Sequence, residues 1–133
     1  MVRYVITISL LFGSIYGQCD DLEIELWGEC FNIDSTYEID LSGQQLSGSI
    51  PSDIGGLTSL MFLDLSDNNI TGPIPDQIGN IGNLIGLNFR DNQIEGDIPA
   101  QIGDLSSLML LNLSYNQLSG SIPSSFGGLN SLT

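Results

Sequence analysis

The sequence predicts an α/β solenoid, a coil in which short parallel strands and short helical turns stack along one axis. Three observations support this prediction. First, the chain repeats itself every 24 residues from positions 33, 57, 81 and 105, and a fifth copy begins at 129. Second, apolar and polar residues alternate over a few positions of each copy. Third, each copy carries a Gly-x-Ile-Pro segment. Such a period indicates units that bury their apolar faces against each other.

The alternating segment predicts one short strand in each repeat. In "LMFLDLSDN", Leu63 and Leu65 alternate with Phe62, Asp64 and Ser66, which is the period of a strand with one buried face. Because this strand recurs at a fixed spacing, we expect the strands to lie side by side in a parallel sheet. The interior positions are apolar in all four repeats: Ile39, Leu41, Leu63, Leu65, Leu87, Phe89, Leu111 and Leu113.

A recurring asparagine follows each of the last three strands. Asn68, Asn92 and Asn116 stand between apolar positions of their repeats. A side-chain amide both donates and accepts hydrogen bonds, so stacked amides can satisfy backbone groups that a tight turn leaves unpaired. We therefore expect these three residues to form a buried structural ladder.

The Gly-x-Ile-Pro segments are predicted to form the outer wall of the coil. Gly permits backbone angles that other residues avoid, and Pro bars a regular helix. The Ile between them is expected to face the interior in every turn. The residues after each Pro are too few and too rich in Gly for a long helix. The sequence predicts a single 3₁₀ or α-helical turn there.

The N-terminal segment has the layout of a secretory signal peptide. Arg3 precedes an apolar stretch at residues 4–12, and small residues follow at Gly13, Ser14 and Gly17. The stretch is too short for a stable membrane anchor. We predict a signal peptide over residues 1–17 and a secreted product; a buried N-terminal strand or helix is the alternative.

Residues 18–32 are predicted to form a disulfide-containing N-terminal cap. The chain has two cysteines, Cys19 and Cys30, and both follow the predicted signal peptide. Pairing is the default in an oxidising compartment. Two cysteines without a histidine make a zinc site improbable.

Composition excludes several classes of function. The chain has sixteen acidic residues, two basic residues and no histidine, which gives a net charge of −14. Such a surface repels nucleic acid and anionic lipid and favours cationic partners, or none. Solubility is the alternative explanation of the charge. The sequence indicates no catalytic site. A general acid or base needs a partner in a pocket, and stacked coils filled with Leu and Ile are expected to leave no pocket. We predict a chain that is not an enzyme and that has no cofactor and no metal.

The repeats carry a family resemblance. The pattern LxxLxxLxLxxNxLxGxIPxxLGxL over residues 33–132 resembles the plant-specific leucine-rich repeats of receptor-kinase ectodomains and polygalacturonase-inhibiting proteins. The resemblance implies a right-handed curved coil, with the parallel sheet on its concave face and protein recognition as its work. The segment "CDDLEIELWGECFNI" resembles the N-terminal cap of such proteins. Trp27 and Gly28 would then cover the first coil, held by Cys19–Cys30.

We therefore predict a secreted, receptor-like binding module that recognises a protein or peptide through its concave face. It is expected to be the N-terminal part of a longer leucine-rich repeat protein, with no membrane anchor in this chain. The alternative is a structural solenoid that binds a repetitive ligand such as cell-wall polysaccharide or ice. The fourth coil ends on an apolar edge near Leu129, which would also permit end-to-end self-association.

Side chains that flank the buried strand positions are the candidates for contact with a partner. Phe62, Leu110 and Tyr115 are apolar or aromatic at positions that are predicted to face solvent, which is typical of binding hot spots. Ordinary exposed apolar surface is the alternative reading. The full candidate set is Phe62, Asp64, Asp67, Arg90, Asp91, Leu110 and Tyr115.

Two sequons add candidate modification sites. Asn69-Ile70-Thr71 and Asn112-Leu113-Ser114 fit the pattern for N-glycosylation. Asn112 lies on the predicted concave face, where a glycan would obstruct the binding of a ligand.

Overall fold

The structure, a computed structural model, describes residues 4–5 and 19–133. Most of the predicted signal peptide therefore lies outside the described residues, and its cleavage stays a prediction. The described part of that segment is strand β1 (Tyr4–Val5), whose backbone pairs in parallel with Ile39–Asp40.

A disulfide-bonded hairpin precedes the coils. Its strands β2 (Glu23–Leu26) and β3 (Glu29–Asn32) are antiparallel. Trp27 and Gly28 form the two-residue turn with φ of 48° and 85°, and two positive φ angles are the geometry of a type I′ hairpin turn. The predicted bond between Cys19 and Cys30 is confirmed, with their Cα atoms 5.6 Å apart.

Four coils follow, and each contains a first strand, a second strand and a 3₁₀ helix. The fold class predicted from the repeats is confirmed. The elements are, in order, β4 (Glu38–Asp40), β5 (Ser47–Gly48), η1 (Ser52–Gly56), β6 (Phe62–Asp64), β7 (Asn69–Gly72), η2 (Asp76–Asn80), β8 (Gly86–Asn88), β9 (Gln93–Asp97), η3 (Ala100–Asp104), β10 (Leu110–Asn112), β11 (Gln117–Ser119) and η4 (Ser124–Gly128).

The first strands of the four coils, together with β1, form a five-stranded parallel sheet in the order β1-β4-β6-β8-β10. Its register follows the sequence period, so equivalent residues of successive coils stand opposite each other. Phe62, for example, pairs with Gly86, and Gly86 pairs with Leu110. Every outward position of one strand is therefore continued as a row across the sheet.

A second parallel sheet of four strands, β5-β7-β9-β11, is formed by the residues that lead into the segments predicted as outer wall. The alternating pattern did not indicate these strands, because β5 has two residues and both β7 and β9 contain Gly. Stacking creates them: once the coils are aligned, the main chains of neighbouring walls lie close enough to pair, as Ser47 does with Asn69.

The core fills the space between the two sheets and the 3₁₀ helices. The interior positions of β4, β6 and β8 are buried, as are Ile78 and Ile102 of η2 and η3. The fourth coil is less covered, because the described chain places a neighbouring coil on one side of it only. Leu111 and Leu113 are half-buried there. The Ile of Gly-x-Ile-Pro was expected inside every turn, yet Ile122 is 73% exposed.

Each ladder asparagine joins two coils. Asn92 Oδ1 accepts a hydrogen bond from the Ile70 N–H at 3.0 Å, and its Nδ2 donates to the Leu65 carbonyl at 2.9 Å; both partners lie in the preceding coil. The same Nδ2 also donates to the carbonyls of Phe89 and Arg90 in its own coil, at 3.2 and 3.3 Å. The amides therefore bind main chain on both sides rather than each other.

Asn68 and Asn116 repeat this arrangement one coil before and one coil after. Their Oδ1 atoms accept from the N–H groups of Leu46 and Ile94, at 2.9 and 3.0 Å. In the first coil Gln44 stands at the equivalent position, and its Nε2 reaches the Ser42 carbonyl at 3.4 Å. Within residues 19–133, every buried side-chain nitrogen or oxygen has a hydrogen-bond partner.

The 3₁₀ helices stack closely on the opposite side. Pro51, Pro75, Pro99 and Pro123 precede the four helices, one each. A Cβ atom on Gly79 of η2 would lie 2.6 Å from the Gln101 carbonyl oxygen of η3. Gly is therefore required there by the approach of the next coil, not by its own backbone angles.

Replacing Asn92 with Ala should destabilise the protein by about 1–3 kcal/mol, because the Ile70 N–H and the Leu65 carbonyl would lose their partner inside the core. The exposed neighbour Gln93 provides the control. Its change to Ala should shift the free energy of unfolding by less than about 0.5 kcal/mol. Urea denaturation of the three proteins measures this difference, and equal midpoints would contradict the role given to Asn92.

Replacing Gly79 with Ala should destabilise the protein by about 1–3 kcal/mol, since the methyl group would overlap the main chain of η3. Gly82 is the matched control, because a Cβ there meets no atom within 4 Å. Thermal unfolding followed by circular dichroism should show a lower Tm for Gly79→Ala than for Gly82→Ala. A Tm for Gly79→Ala equal to that of the control would show that the coils are less closely stacked.

Candidate functional site

The exposed face of the five-stranded sheet carries two rows of side chains that cross the strands. A groove of about 490 Å³ runs along both rows. The first row is Glu38, Phe62, Gly86 and Leu110. The second row is Asp40, Asp64, Asn88 and Asn112.

The first row is apolar in its middle. Phe62 is exposed but leans over the next strand, so that a Cβ on Gly86 would lie 2.9 Å from the Phe62 ring. Gly86 is buried by this contact, although the alternation placed it on the outward side. Leu110 follows on the other side of Gly86 and is 57% exposed. Together these residues make an apolar floor in the groove.

The second row carries fixed carboxylates. Asp64 Oδ1 accepts hydrogen bonds from the Ser66 N–H at 2.9 Å and the Ser66 hydroxyl at 2.6 Å, and Asp64 Oδ2 accepts from Asn88 Nδ2 at 2.9 Å. Asp40 Oδ1 likewise accepts hydrogen bonds from the Ser42 N–H at 3.1 Å and from the Ser42 hydroxyl at 2.7 Å. Because these donors are neutral, they fix the carboxylates without cancelling their charge. Ser66, expected to face outward, is buried by this turn.

Three of the candidate residues lie in the turns after the strands. Asp67, Asp91 and Tyr115 have φ of 57°, 56° and 56°, and Gly43 takes the same position in the first coil with φ of 66°. Asp tolerates this left-handed conformation, whereas a bulky side chain adopts it at a cost of about 1–2 kcal/mol. Tyr115 adopts this conformation although it is bulky, and its side chain is 71% exposed.

Arg90 and Tyr115 form a pair at this edge of the face. The guanidinium carbon of Arg90 lies 5.0 Å from the centroid of the Tyr115 ring, which is within the range of a cation–π contact. The structure therefore places the seven candidates in two groups. Phe62, Asp64 and Leu110 line the groove, while Asp67, Arg90, Asp91 and Tyr115 lie beside it at the ends of the strands.

A further row was missed by the sequence reasoning. Tyr37, Met61, Ile85 and Met109 stand directly before the strands, and we call them the strand-start stripe. They recur at the 24-residue period and are apolar in every repeat. Tyr37 and Met109 are nevertheless exposed, and Met61 and Ile85 are half-buried. The recurrence of an apolar residue at this position was the signal available in the sequence, whereas its exposure is shown only by the structure.

Three residues of the strand-start stripe, Tyr37, Met61 and Ile85, border a second groove of about 290 Å³. The other side of this groove is polar and is made by Ser59, Asn83 and Ser107. Asn83 is held in place by a hydrogen bond from its Nδ2 to the Thr58 carbonyl of the preceding coil, at 2.9 Å. The stripe thus lies between a polar margin and the apolar floor of the larger groove.

The two sequons occupy different surfaces. Asn69 is exposed on β7 of the four-stranded sheet. Asn112 is exposed on β10, in the second row of the groove. Its Oδ1 accepts hydrogen bonds from the N–H and the hydroxyl of Ser114, at 3.1 and 2.7 Å.

Two features of the described residues concern a metal site and a membrane-spanning helix. One group of three potential metal ligands lies close together in this part of the chain: Cys19, Glu23 and Cys30. Its two sulfurs are joined in a disulfide, so neither is available as a thiolate ligand. Within residues 4–5 and 19–133, no helix has the length and apolar character needed to cross a bilayer.

Comparison with known proteins identifies the family. The Leucine Rich Repeat profile matches residues 35–57, 59–81, 83–105 and 107–129, which together make up more than half of the chain. This chain belongs to the leucine-rich repeat family, and its solved structural relatives show that it is of the plant type. No curated protein sequence matched the chain.

Three solved structures illustrate the relationship. The plant peptide hormone receptor RGFR1, in complex with RGF2, is 46% identical over 74% of this chain with a TM-score of 0.73. The receptor kinase HAESA of Arabidopsis, in complex with the peptide hormone IDA and the co-receptor SERK1, is 39% identical over 74% with a TM-score of 0.72. The BIR3–SERK2 complex of Arabidopsis thaliana gives 37% identity over 82% with a TM-score of 0.67.

The chain is short beside these relatives. It spans 16% of the matched RGFR1 chain, 17% of the matched HAESA chain and 55% of the matched chain in the BIR3–SERK2 complex. The match therefore concerns a few coils of longer proteins, and in RGFR1 and HAESA it covers less than a fifth of the matched chain.

Proposed function

We propose that this chain is a secreted, non-enzymatic module that binds a protein or peptide partner through the exposed face of the sheet strands β4, β6, β8 and β10. The observation that carries the proposal is the groove of about 490 Å³, which combines an apolar floor with fixed carboxylates. Concave sites that combine apolar surface with a few placed polar groups are typical of ligand recognition. The complex of the related receptor kinase HAESA with the peptide hormone IDA and that of the peptide hormone receptor RGFR1 with RGF2 support it.

Secretion is supported by the disulfide between Cys19 and Cys30, because such bonds persist in oxidising compartments. The related structures of BIR2 and SOBIR1 are ectodomains, which also supports an extracellular location. Removal of a signal peptide over residues 1–17 belongs to the same proposal.

A repetitive ligand such as cell-wall polysaccharide or ice is the second candidate function. A lattice requires similar side chains on successive coils. The first row of the groove instead changes from Glu38 to Phe62, Gly86 and Leu110. This irregularity favours a partner of defined sequence.

Glycosylation of Asn69 and Asn112 is part of the proposal and has opposite consequences at the two sites. A glycan on Asn69 would project from the four-stranded sheet and leave the groove open. A glycan on Asn112 would occupy the groove itself. Glycopeptide mapping of the secreted chain determines which site is used, and a bare Asn112 is required for binding across the fourth strand.

The proposed function predicts that Leu110→Ser combined with Tyr115→Asn weakens partner binding about tenfold or more, because exposed apolar anchors dominate such interfaces. Asn accepts the left-handed backbone of position 115, so the fold should be retained. The full chain is immobilised, and binding of secreted proteins and peptides from its own source is quantified by mass spectrometry.

Leu22→Ser is the control for this measurement, since Leu22 is 59% exposed, as Leu110 is at 57%, but lies in the N-terminal cap. It should leave partner binding unchanged. Equal capture by all variants would contradict a site on this face. Retention of a cell-wall polysaccharide, with no protein or peptide captured, would favour the second candidate.

A further inference from the structure

We propose that the partner of this face is an extended peptide segment in which apolar residues alternate with basic ones. This inference rests on the proposed function and names the chemistry of its ligand. The apolar residues would contact one continuous band, made by the strand-start stripe together with Phe62 and Leu110. The basic residues would lie against Asp40 and Asp64.

The apolar band gathers much of the exposed apolar surface of the described chain. Four large apolar side chains that are exposed lie together in it: Tyr37, Phe62, Met109 and Leu110. Met61 and Ile85 fill the positions between them and are half-buried. Contiguous apolar surface at the border of polar grooves is typical of an interaction site, whereas single exposed residues are not.

The main chain holds the band rigidly. The Met61 N–H donates to the Tyr37 carbonyl, the Ile85 N–H to the Met61 carbonyl, and the Met109 N–H to the Ile85 carbonyl, each at 2.8 Å. Each of these residues is thus bound to its counterpart in the neighbouring coil. A surface ordered in advance loses little conformational entropy when it binds, so its apolar contacts count more fully toward affinity.

The charge beside the band selects a basic partner. Asp40 and Asp64 stand two residues further along their strands than Glu38 and Phe62, which is about 6.6 Å. Their hydrogen bonds come from neutral serine and asparagine groups, so both charges remain on the groove wall. A chain with a net charge of −14 adds a long-range attraction for cations.

The spacing selects an extended segment with alternating side chains. Four coils at about 4.8 Å per strand span about 14 Å across the sheet. In an extended chain, alternate side chains lie about 6.7 Å apart, so three of them span about 13 Å. A segment of about five residues that crosses the strands therefore presents three side chains to the apolar band and two to the second row. Asp40 and Asp64 stand on neighbouring strands of that row, about 4.8 Å apart, so long and flexible basic side chains can reach both.

A set of synthetic peptides with acetylated and amidated ends tests this inference on the full chain. The probe has the core Leu-Lys-Leu-Lys-Leu. The controls are Leu-Leu-Leu-Lys-Lys, which has the same composition without alternation, and Leu-Glu-Leu-Glu-Leu, which reverses the charge. Isothermal titration calorimetry should show that the probe binds about tenfold or more tightly than either control. Its affinity should fall with added salt, as expected for charge contacts.

Protein variants locate the binding. Tyr37→Ser combined with Met109→Ser should weaken probe binding about tenfold, and Asp40→Asn should reduce its salt dependence. Leu22→Ser should change neither. Equal binding of the alternating and blocked peptides, or an unchanged affinity in the Tyr37/Met109 variant, would overturn the inference. The proposed function stands separately, because its own experiment uses natural partners and the residues Leu110 and Tyr115.

Discussion

The structure depends on the way in which one asparagine in each of the last three coils closes the turn after the strand. The chain must bend there, and the bend leaves main-chain N–H and carbonyl groups inside the coil. Asn68, Asn92 and Asn116 satisfy those groups and bind the preceding coil in the same step. Without this arrangement, burial of the apolar strand positions would carry the cost of unpaired polar groups. The stacking distance, both parallel sheets and the tight fit at Gly79 all follow from coils held together in this way.

In the stacked coils, different residues determine the fold and the binding surface. The interior and turn positions fix the path of the chain, and the outward positions are then free to vary from one coil to the next. The row Glu38, Phe62, Gly86 and Leu110 contains an acid, an aromatic residue, a glycine and an aliphatic residue on one regular backbone. A rigid sheet that presents irregular rows suits selective binding, because the chain loses little conformational entropy when a partner binds.

The repeat period predicted the parallel sheet, the 3₁₀ turns and the position of the ladder, because each depends on a pattern that recurs along the chain. It did not predict the four-stranded sheet, since strands such as Ser47–Gly48 exist only through pairing between coils. The outward rows were only partly predictable. Alternation indicated that Phe62 faces solvent, but only the structure shows it covering Gly86. The strand-start stripe was visible as a recurring apolar position, yet periodicity cannot distinguish an exposed apolar position from a buried one.

Native-state hydrogen exchange tests the central claim most directly. The N–H groups of Leu46, Ile70 and Ile94 donate to the ladder side chains rather than to main chain. If these bonds hold the coils together, the amides of Leu46 and Ile70 should exchange only through global unfolding, at the rate of the Leu63 and Leu87 amides. Exchange of Leu46 and Ile70 at the rates of exposed amides, with the strand amides still protected, would show that the sheet stands without the ladder.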